Sequence, residues 1–247
     1  MQRFRVAAQA GERERAGSGP CTSCRLDDLV FCSALAEDER PRLAAIVREV
    51  RAEPNQAIFY EGDPARHVFN VTEGTVKLYK LMADGRRQIT GFLFRGDFLG
   101  LALNRSYAYT AEALEPTRLC RFDRAQIEAL LDDFPRLERR LLEMAGNELV
   151  AAQDQMLLLG RKTARERIVS LLVLLAGRAE RRGEPANPVA LPMTRNDIAD
   201  YLGLTTETVS RALTELRKSG LITLHGAGTV SLDRRDDLDA IAAGEAA

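Results

Sequence analysis

Apolar residues recur along this chain with different periods in successive segments, and each change of period marks an element. From Asp38 to Val50, Leu43, Ile46, Val47 and Val50 fall at helical spacing and predict a short amphipathic helix. From Arg51 to Phe122 the pattern breaks into short β-rich runs. Turns at Glu61-Gly62-Asp63, Glu73-Gly74, Asp84-Gly85 and Arg95-Gly96-Asp97 separate them, with glycines every eleven or twelve residues. Strands spaced in this way mark a sandwich or barrel, here read as a β-roll. The predicted strands are Ala57–Tyr60, Val68–Val71, Thr75–Leu81, Gln88–Phe94, Tyr107–Ala113 and Arg118–Phe122.

Helical periods return at Asp123, which is placed to cap a helix through Leu131. After Asp132-Asp133-Phe134-Pro135 a much longer helix is predicted, to about Gly160. Within it Leu142, Ala145, Leu149, Ala152, Met156 and Leu159 alternate steps of three and four, the rhythm of a coiled-coil seam. The seam is read as a dimer interface. The alternative is that it packs on the chain's own core, but the small residues Ala145 and Ala152 favour close approach of two helices. A further amphipathic helix is predicted over Arg165–Arg182, followed by the loop Gly183–Pro188.

The stretch Pro192–Gly220 carries the most specific local pattern. Thr194 followed by Asp197 suits a capping box, and Ile198, Ala199 and Leu202 continue at helical spacing. Gly203-Leu204-Thr205 forms a three-residue turn, with glycine at the bend and a hydroxyl free to cap the next helix. Val209, Ala212, Leu213 and Leu216 give that second helix a narrow apolar stripe, leaving Thr206, Glu207, Ser210, Arg211 and Thr214 outside. This reads as a helix-turn-helix. An ordinary αα-hairpin with a solvated face is the plainer reading. The outer residues argue against it, because arginine can fork onto guanine, glutamate can accept from cytosine N4 and a threonine methyl can meet a thymine methyl. Leu221–Leu224 and Thr229–Leu232 flank His225-Gly226-Ala227-Gly228 as a hairpin, which makes the unit a winged helix.

Totals narrow the reading. A chain of 247 residues is comfortable for two cores. No apolar run approaches a membrane span, and the first twenty residues lack the apolar stretch of a signal peptide, so a soluble cytoplasmic protein is expected. The formal net charge is -1, but Arg161–Leu232 carries about +4 and the last fifteen residues about -3. That basic excess is modest. Affinity for nucleic acid must then come from paired subunits and local phosphate contacts.

The four cysteines are too few for a disulfide-stapled secreted domain. Cys21-x2-Cys24-x7-Cys32 with Cys120 supplies enough thiolates for a tetrahedral zinc site or an iron-sulfur cluster, and ligand count does not separate the two. Three ligands near the N-terminus and one on a distant strand would clip the arm onto the roll. Enzyme readings find no support: G-x-S-x-G, H-E-x-x-H and Walker loops are absent, and His67 and His225 read as lone surface histidines of a turn and of the wing. A non-DNA iron-sulfur carrier would leave the winged helix without a purpose.

The cysteine cluster, QITGFLFRGDFLG, Cys120 in RLCRF, DQMLLLGRKTARERI and TRNDIADYLGLTTETVSRALTELRKSGLI together resemble the CRP/FNR superfamily of bacterial transcription regulators, over nearly all of Cys21–Leu232. Within it the chain is most similar to the FNR, or fumarate-and-nitrate-reduction, branch. Residues 1–20 are rich in Gly, Ala, Glu and Arg without apolar period and read as a disordered arm, and the resemblance implies an α+β architecture after it: a cysteine-containing segment and a cyclic-nucleotide-binding-like β-roll of jelly-roll type over 21–134, a dimerisation helix over 135–160, a winged helix-turn-helix over 161–235 and a tail over 236–247. It implies one 4Fe-4S cluster per subunit on Cys21, Cys24, Cys32 and Cys120, degraded by oxygen so that the homodimer loosens and leaves DNA.

It also implies that Glu207, Ser210 and Arg211, with Thr206 beside them, read TTGAT-like half-sites of an inverted repeat in double-stranded DNA. Thr194 and Arg195 at the start of the first helix are further candidate DNA contacts. RNA polymerase is the implied partner of the turn Asp84-Gly85-Arg86-Arg87, although its doubled arginines differ from the acidic character familiar in that branch. A cyclic nucleotide is the rival effector. Against it, Gly100 is followed by Leu101 where the cyclic-AMP-binding relatives place a glutamate, and Arg105-Ser106 follows after only four residues.

Overall fold

The computed structural model describes residues 30–101, 105–226 and 228–245. The arm over 1–20, Cys21 and Cys24 lie outside the described residues, as do Ala227 in the wing and the last two residues of the tail.

A 3-10 turn, Phe31–Ala34, and helix α1, Arg40–Ile46, lead into strand β1, Val47–Ala52. The sequence pattern carries a helix on to Val50. Instead the helix stops at Ile46, because Val47–Ala52 pairs along its whole length with a strand some seventy residues away. Both valines are β-branched and suit that extended pairing.

The roll continues through β2 (Ala57–Phe59), β3 (His67–Glu73), β4 (Val76–Leu81), β5 (Arg87–Leu93), β6 (Phe98–Leu99), β7 (Thr110–Ala113) and β8 (Thr117–Asp123). Two four-stranded antiparallel sheets form, in the orders β1-β8-β3-β6 and β2-β7-β4-β5. Their facing sides enclose a core of Phe59, Phe69, Val71, Leu78, Leu99 and Leu119 among others. At the β3–β4 turn Gly74 has φ +87°, and a Cβ there would lie 2.6 Å from Thr117 Oγ1 and 2.7 Å from the Pro116 carbonyl. Only glycine fits so close a crossing.

Asp123 accepts from the backbone N–H groups of Ala125 and Gln126 and so starts helix α2, Arg124–Asp133. Helix α3, Pro135–Arg161, follows with proline in its first turn. Helix α4, Ala164–Arg181, opens on a full capping box between Thr163 and Glu166. Then come β9 (Val189–Ala190), α5 (Arg195–Leu202), α6 (Thr206–Lys218), β10 (Ile222–His225) and β11 (Thr229–Leu232). The wing is a three-stranded sheet, β10-β11-β9. Beyond it the tail expected from residue 236 holds a helix, α7 (Arg235–Ala243), with Leu238 and Ile241 buried in the winged-helix core. Two apolar residues in an acidic, alanine-rich stretch gave too weak a period to announce it.

The outer faces of the two sheets serve different neighbours. That of β1-β8-β3-β6 is covered by Phe31, Leu43, Ile127 and Leu137, forming a cluster around Val68, Cys120 and Phe122. That of β4 and β5 contributes Tyr79, Ile89, Phe92 and Phe94 to the winged-helix core. Helix α3 joins them: Leu137 in its first turn belongs to the first cluster and Leu158 in its last turn to the second.

Candidate DNA-reading surface and cysteine centre

Local chemistry builds the reading head. Thr194 accepts from the Asp197 backbone N–H at 3.1 Å while Asp197 Oδ2 accepts from the Thr194 backbone N–H at 3.0 Å, the reciprocal capping box predicted. Gly203 ends α5 in the left-handed region with φ 61°, and Thr205 caps α6 through the Thr208 N–H. Thr206 Oγ1 donates to Asn196 Oδ1 at 2.7 Å and ties the start of α6 to α5. Val209, Ala212, Leu213 and Leu216 are buried, whereas Thr206, Glu207, Ser210 and Arg211 are all exposed. Glu207 and Arg211 have no hydrogen-bond or ion-pair partner among the described residues, so their polar ends are available to a ligand. Thr194 is exposed, with its hydroxyl committed to the cap. Arg195 is half-buried, and that burial lowers its pKa.

Along α3 the predicted seam is bare through most of its length. Leu142, Leu149 and Met156, spaced one heptad apart, are 68%, 61% and 65% exposed, and Ala145 and Ala152 are exposed between them. Leu159 differs: it is half-buried and packs on the winged-helix core, its Cδ2 facing Gly203. Val150 and Leu157, absent from the predicted seam, widen the exposed apolar face.

The described cysteines share one apolar cluster. Cys120 is buried at the centre of β8, and Cys32, half-buried in the 3-10 turn, packs against the same cluster at the foot of α3. The strand placement of Cys120 and its distance in sequence from Cys32 are therefore reconciled by the fold. Among the described residues no group of three or more His, Cys, Asp or Glu side chains is arranged to hold a metal ion; Cys21 and Cys24 lie outside the described residues.

The roll also holds a cleft of about 570 Å³, lined by Phe59, His67, Phe69, Tyr107 and Arg121 among others. Phe59 stacks on Tyr107 with ring centroids 3.8 Å apart and takes up part of the interior. His67, expected on a turn, begins β3 instead; burial and the nearby Arg121 lower its pKa.

Comparison with known proteins places this architecture. A cyclic nucleotide-binding domain model matches residues 49–134 and a Crp-like helix-turn-helix domain model matches residues 166–241. The transcriptional activatory protein AadR of Rhodopseudomonas palustris is 40% identical over 222 residues, covering 90% of this chain and 92% of that protein. The chain belongs to the CRP/FNR superfamily. As a member it is a DNA-binding transcription regulator and not an enzyme. Further CRP/FNR relatives are the nitrogen fixation regulation protein FixK of Bradyrhizobium diazoefficiens, 39% identical over 86% of this chain and 90% of that one, and the transcriptional activator protein FnrL of Cereibacter sphaeroides, 39% identical over 83% and 85%. Among solved structures, FixK2 of Bradyrhizobium japonicum is similar with a TM-score of 0.75 and 40% identity, over 82% of this chain and 98% of that one.

One feature of this CRP/FNR chain had no local signal in the sequence. Asp197, only 2% exposed, accepts from Lys77 Nζ and Arg87 Nη2 of the roll through Oδ1, both at 3.0 Å, while Oδ2 serves the α5 cap. Lys77 also pairs with Glu112 at 2.9 Å, and Arg87 with Asp200 at 2.8 Å. Burial alone would raise the Asp197 carboxyl, but the hydrogen bonds from Thr194 and Lys77 and the lysine charge hold it below its ordinary value. Burial and Glu112 push the neighbouring Tyr79 phenol up to about 12. Gln88 adds bonds to the carbonyls of Asp200 and Tyr201, and Arg178 of α4 donates to the Phe92 carbonyl at 2.7 Å. The first helix of the reading head is thus fastened to the roll by a charge cluster centred on the buried Asp197 and Lys77. No helix among the described residues is long and apolar enough to cross a membrane.

Proposed function

We propose that this regulator is an oxygen- or redox-responsive homodimer, acting in the cytoplasm, whose cysteine centre controls its grip on an inverted-repeat operator. The observation that carries the reading is that Cys32 and Cys120 belong to one apolar cluster, to which Leu137 in the first turn of α3 also belongs. Two soft thiol ligands in a site walled by Phe31, Phe122 and Leu137 suit an iron-sulfur group, which such a wall shields from water. Cys21, Cys24, Cys32 and Cys120 would hold one 4Fe-4S cluster per subunit, and its chemistry when bound is reversible electron uptake together with bonds that oxygen attacks.

Leu137 touches the cluster side and Leu158 the winged-helix side of the same helix, so a change in how α3 is seated reaches both. The bare Leu142, Ala145, Leu149, Ala152 and Met156 would bury against a second copy. Pairing would set two α6 helices about one helical turn of DNA apart, with Glu207, Ser210 and Arg211 reading TTGAT-like half-sites and Thr206, Thr194 and Arg195 beside them. RNA polymerase would meet the exposed β4–β5 turn at Asp84–Arg86, whereas Arg87, expected with them, is half-buried and held by Asp197 and Asp200.

A second reading rests on the cleft between the sheets: a small effector such as a cyclic nucleotide could be the signal instead. An anaerobic absorption spectrum with iron and sulfide analysis separates them. The first reading expects brown protein with about four irons and four sulfides per subunit, bleached by air. Colourless protein with stoichiometric zinc, or with no metal and a response to cyclic nucleotide, would overturn it.

A further inference from the structure

Asn70 is a buried amide on the sheet face that bears the apolar cluster around Cys120. It lies on β3 directly opposite Cys120 on β8, and the flanking pair Val68–Phe122 belongs to the cysteine-side cluster. Opposed residues of an antiparallel pair project to the same face, with Cβ atoms about 5 Å apart. Asn70 therefore shares the Cys120 face, beside Phe98, its register partner on β6. The residue is 2% exposed. Its Nδ2 reaches only the carbonyl of the adjacent Val71, at 3.3 Å, and its Oδ1 has no partner.

A buried acceptor left unmatched is costly, and a leucine of the same shape would avoid that cost. Two polar side chains flank that face: Glu49, opposite Cys120 on β1, is exposed and paired with Arg51, which leaves the Cys120 sulfur as the buried polar atom directly opposite the amide. We propose that Asn70 is a positioning residue of the cysteine centre, its side-chain amide hydrogen-bonded to the Cys120 sulfur. The inference rests on the reading that Cys120 is a metal-centre ligand. An amide suits both states of that sulfur: its oxygen accepts from a protonated thiol, and a half-turn of the group presents an N–H to a ligating thiolate. Donation to sulfur favours the more negative, reduced state of an iron-sulfur group, and so raises its potential.

The test uses the full chain loaded anaerobically with iron and sulfide, as wild type, Asn70→Leu, Asn70→Ser and Cys120→Ser. Asn70→Leu is expected to load but to show a more negative midpoint potential and to yield iron to a chelator about tenfold faster, as for loss of an outer hydrogen-bond partner. Asn70→Ser, which restores a donor, should recover part of both changes. Metal-free Asn70→Leu should melt no lower than wild type. The inference is overturned if potential and iron release match wild type while Cys120→Ser fails to load, or if metal-free Asn70→Leu is markedly destabilised, which would make the amide structural. If Cys120→Ser loads like wild type, or wild type does not load, the reading of the centre has itself failed and the inference goes with it.

Discussion

On the outer face of the sheet bearing β4 and β5, both carboxylate oxygens of Asp197 have partners, and Lys77 and Arg87 each meet two carboxylates. On the outer face of the other sheet, Asn70 keeps an unmatched oxygen in an otherwise apolar cluster. The first contact is complete within one chain and fastens the reading head to the roll. The second is incomplete as it stands, and in the proposed mechanism α3, which touches both clusters, would carry its state toward the reading head. A signal enters a fold most readily where polar groups wait for a partner, and a lever works only if its far end is fixed.

Placing a charge in the bare face of α3, by Ala152→Asp, should disturb this arrangement most. Dimer mass should be lost, and operator affinity should fall about 10³-fold, toward the level of non-specific binding. An unchanged mass would mean that the seam lies elsewhere on the helix.

Asp197→Asn comes next. It breaks the buried pairs, and the cost should be about 3 kcal/mol, the low end for such a break, because Lys77 keeps Glu112 and Arg87 keeps Asp200. The carboxyl has a depressed pKa when folded, so its contribution is present above the unfolded value near pH 4 and is lost as pH falls through the lower folded value. Denaturant melts of wild type and variant should then differ at pH 7 and converge in strong acid. A difference that persisted there would mean that packing, not charge, held the contact.

Smaller effects should follow at the reading surface. Arg211→Ala should cost about 1–3 kcal/mol of discrimination between operator and altered half-sites, with less loss on random DNA. Equal losses on both would make it a phosphate contact. Thr194→Ala removes only the cap side of the Asp197 arrangement and should cost about 1 kcal/mol of stability. A loss as large as that of Asp197→Asn would show that the cap and the inter-domain pair are one unit.

The reading head was legible in the sequence because short-range rules build it: Thr194 and Asp197 are three residues apart, and Gly203 marks its own turn. The roll was legible in its turns but not at its first strand. Leu43, Ile46 and Val47 suit a helix, and only pairing with Thr117–Asp123 draws Val47 into a strand. The bond between Lys77 and Asp197 spans 120 residues. In Val76-Lys77-Leu78 the alternation places Lys77 on the outer face, which by pattern alone means solvent, and only the docked α5 makes it buried. Asn70 was equally silent, since a single polar residue in a strand says nothing about what faces it. The cysteines were visible by composition, yet the sharing of one apolar cluster by Cys32 and Cys120 depends on the fold.

Binding of a fluorescent inverted-repeat duplex, titrated with the anaerobically loaded protein before and after exposure to air, tests the link between the two ends of α3 most directly. Tight binding by the loaded dimer is expected, with at least about a tenfold loss and dissociation to monomers once the metal centre is gone. Equal affinity in both states, with the metal demonstrably lost, would contradict it.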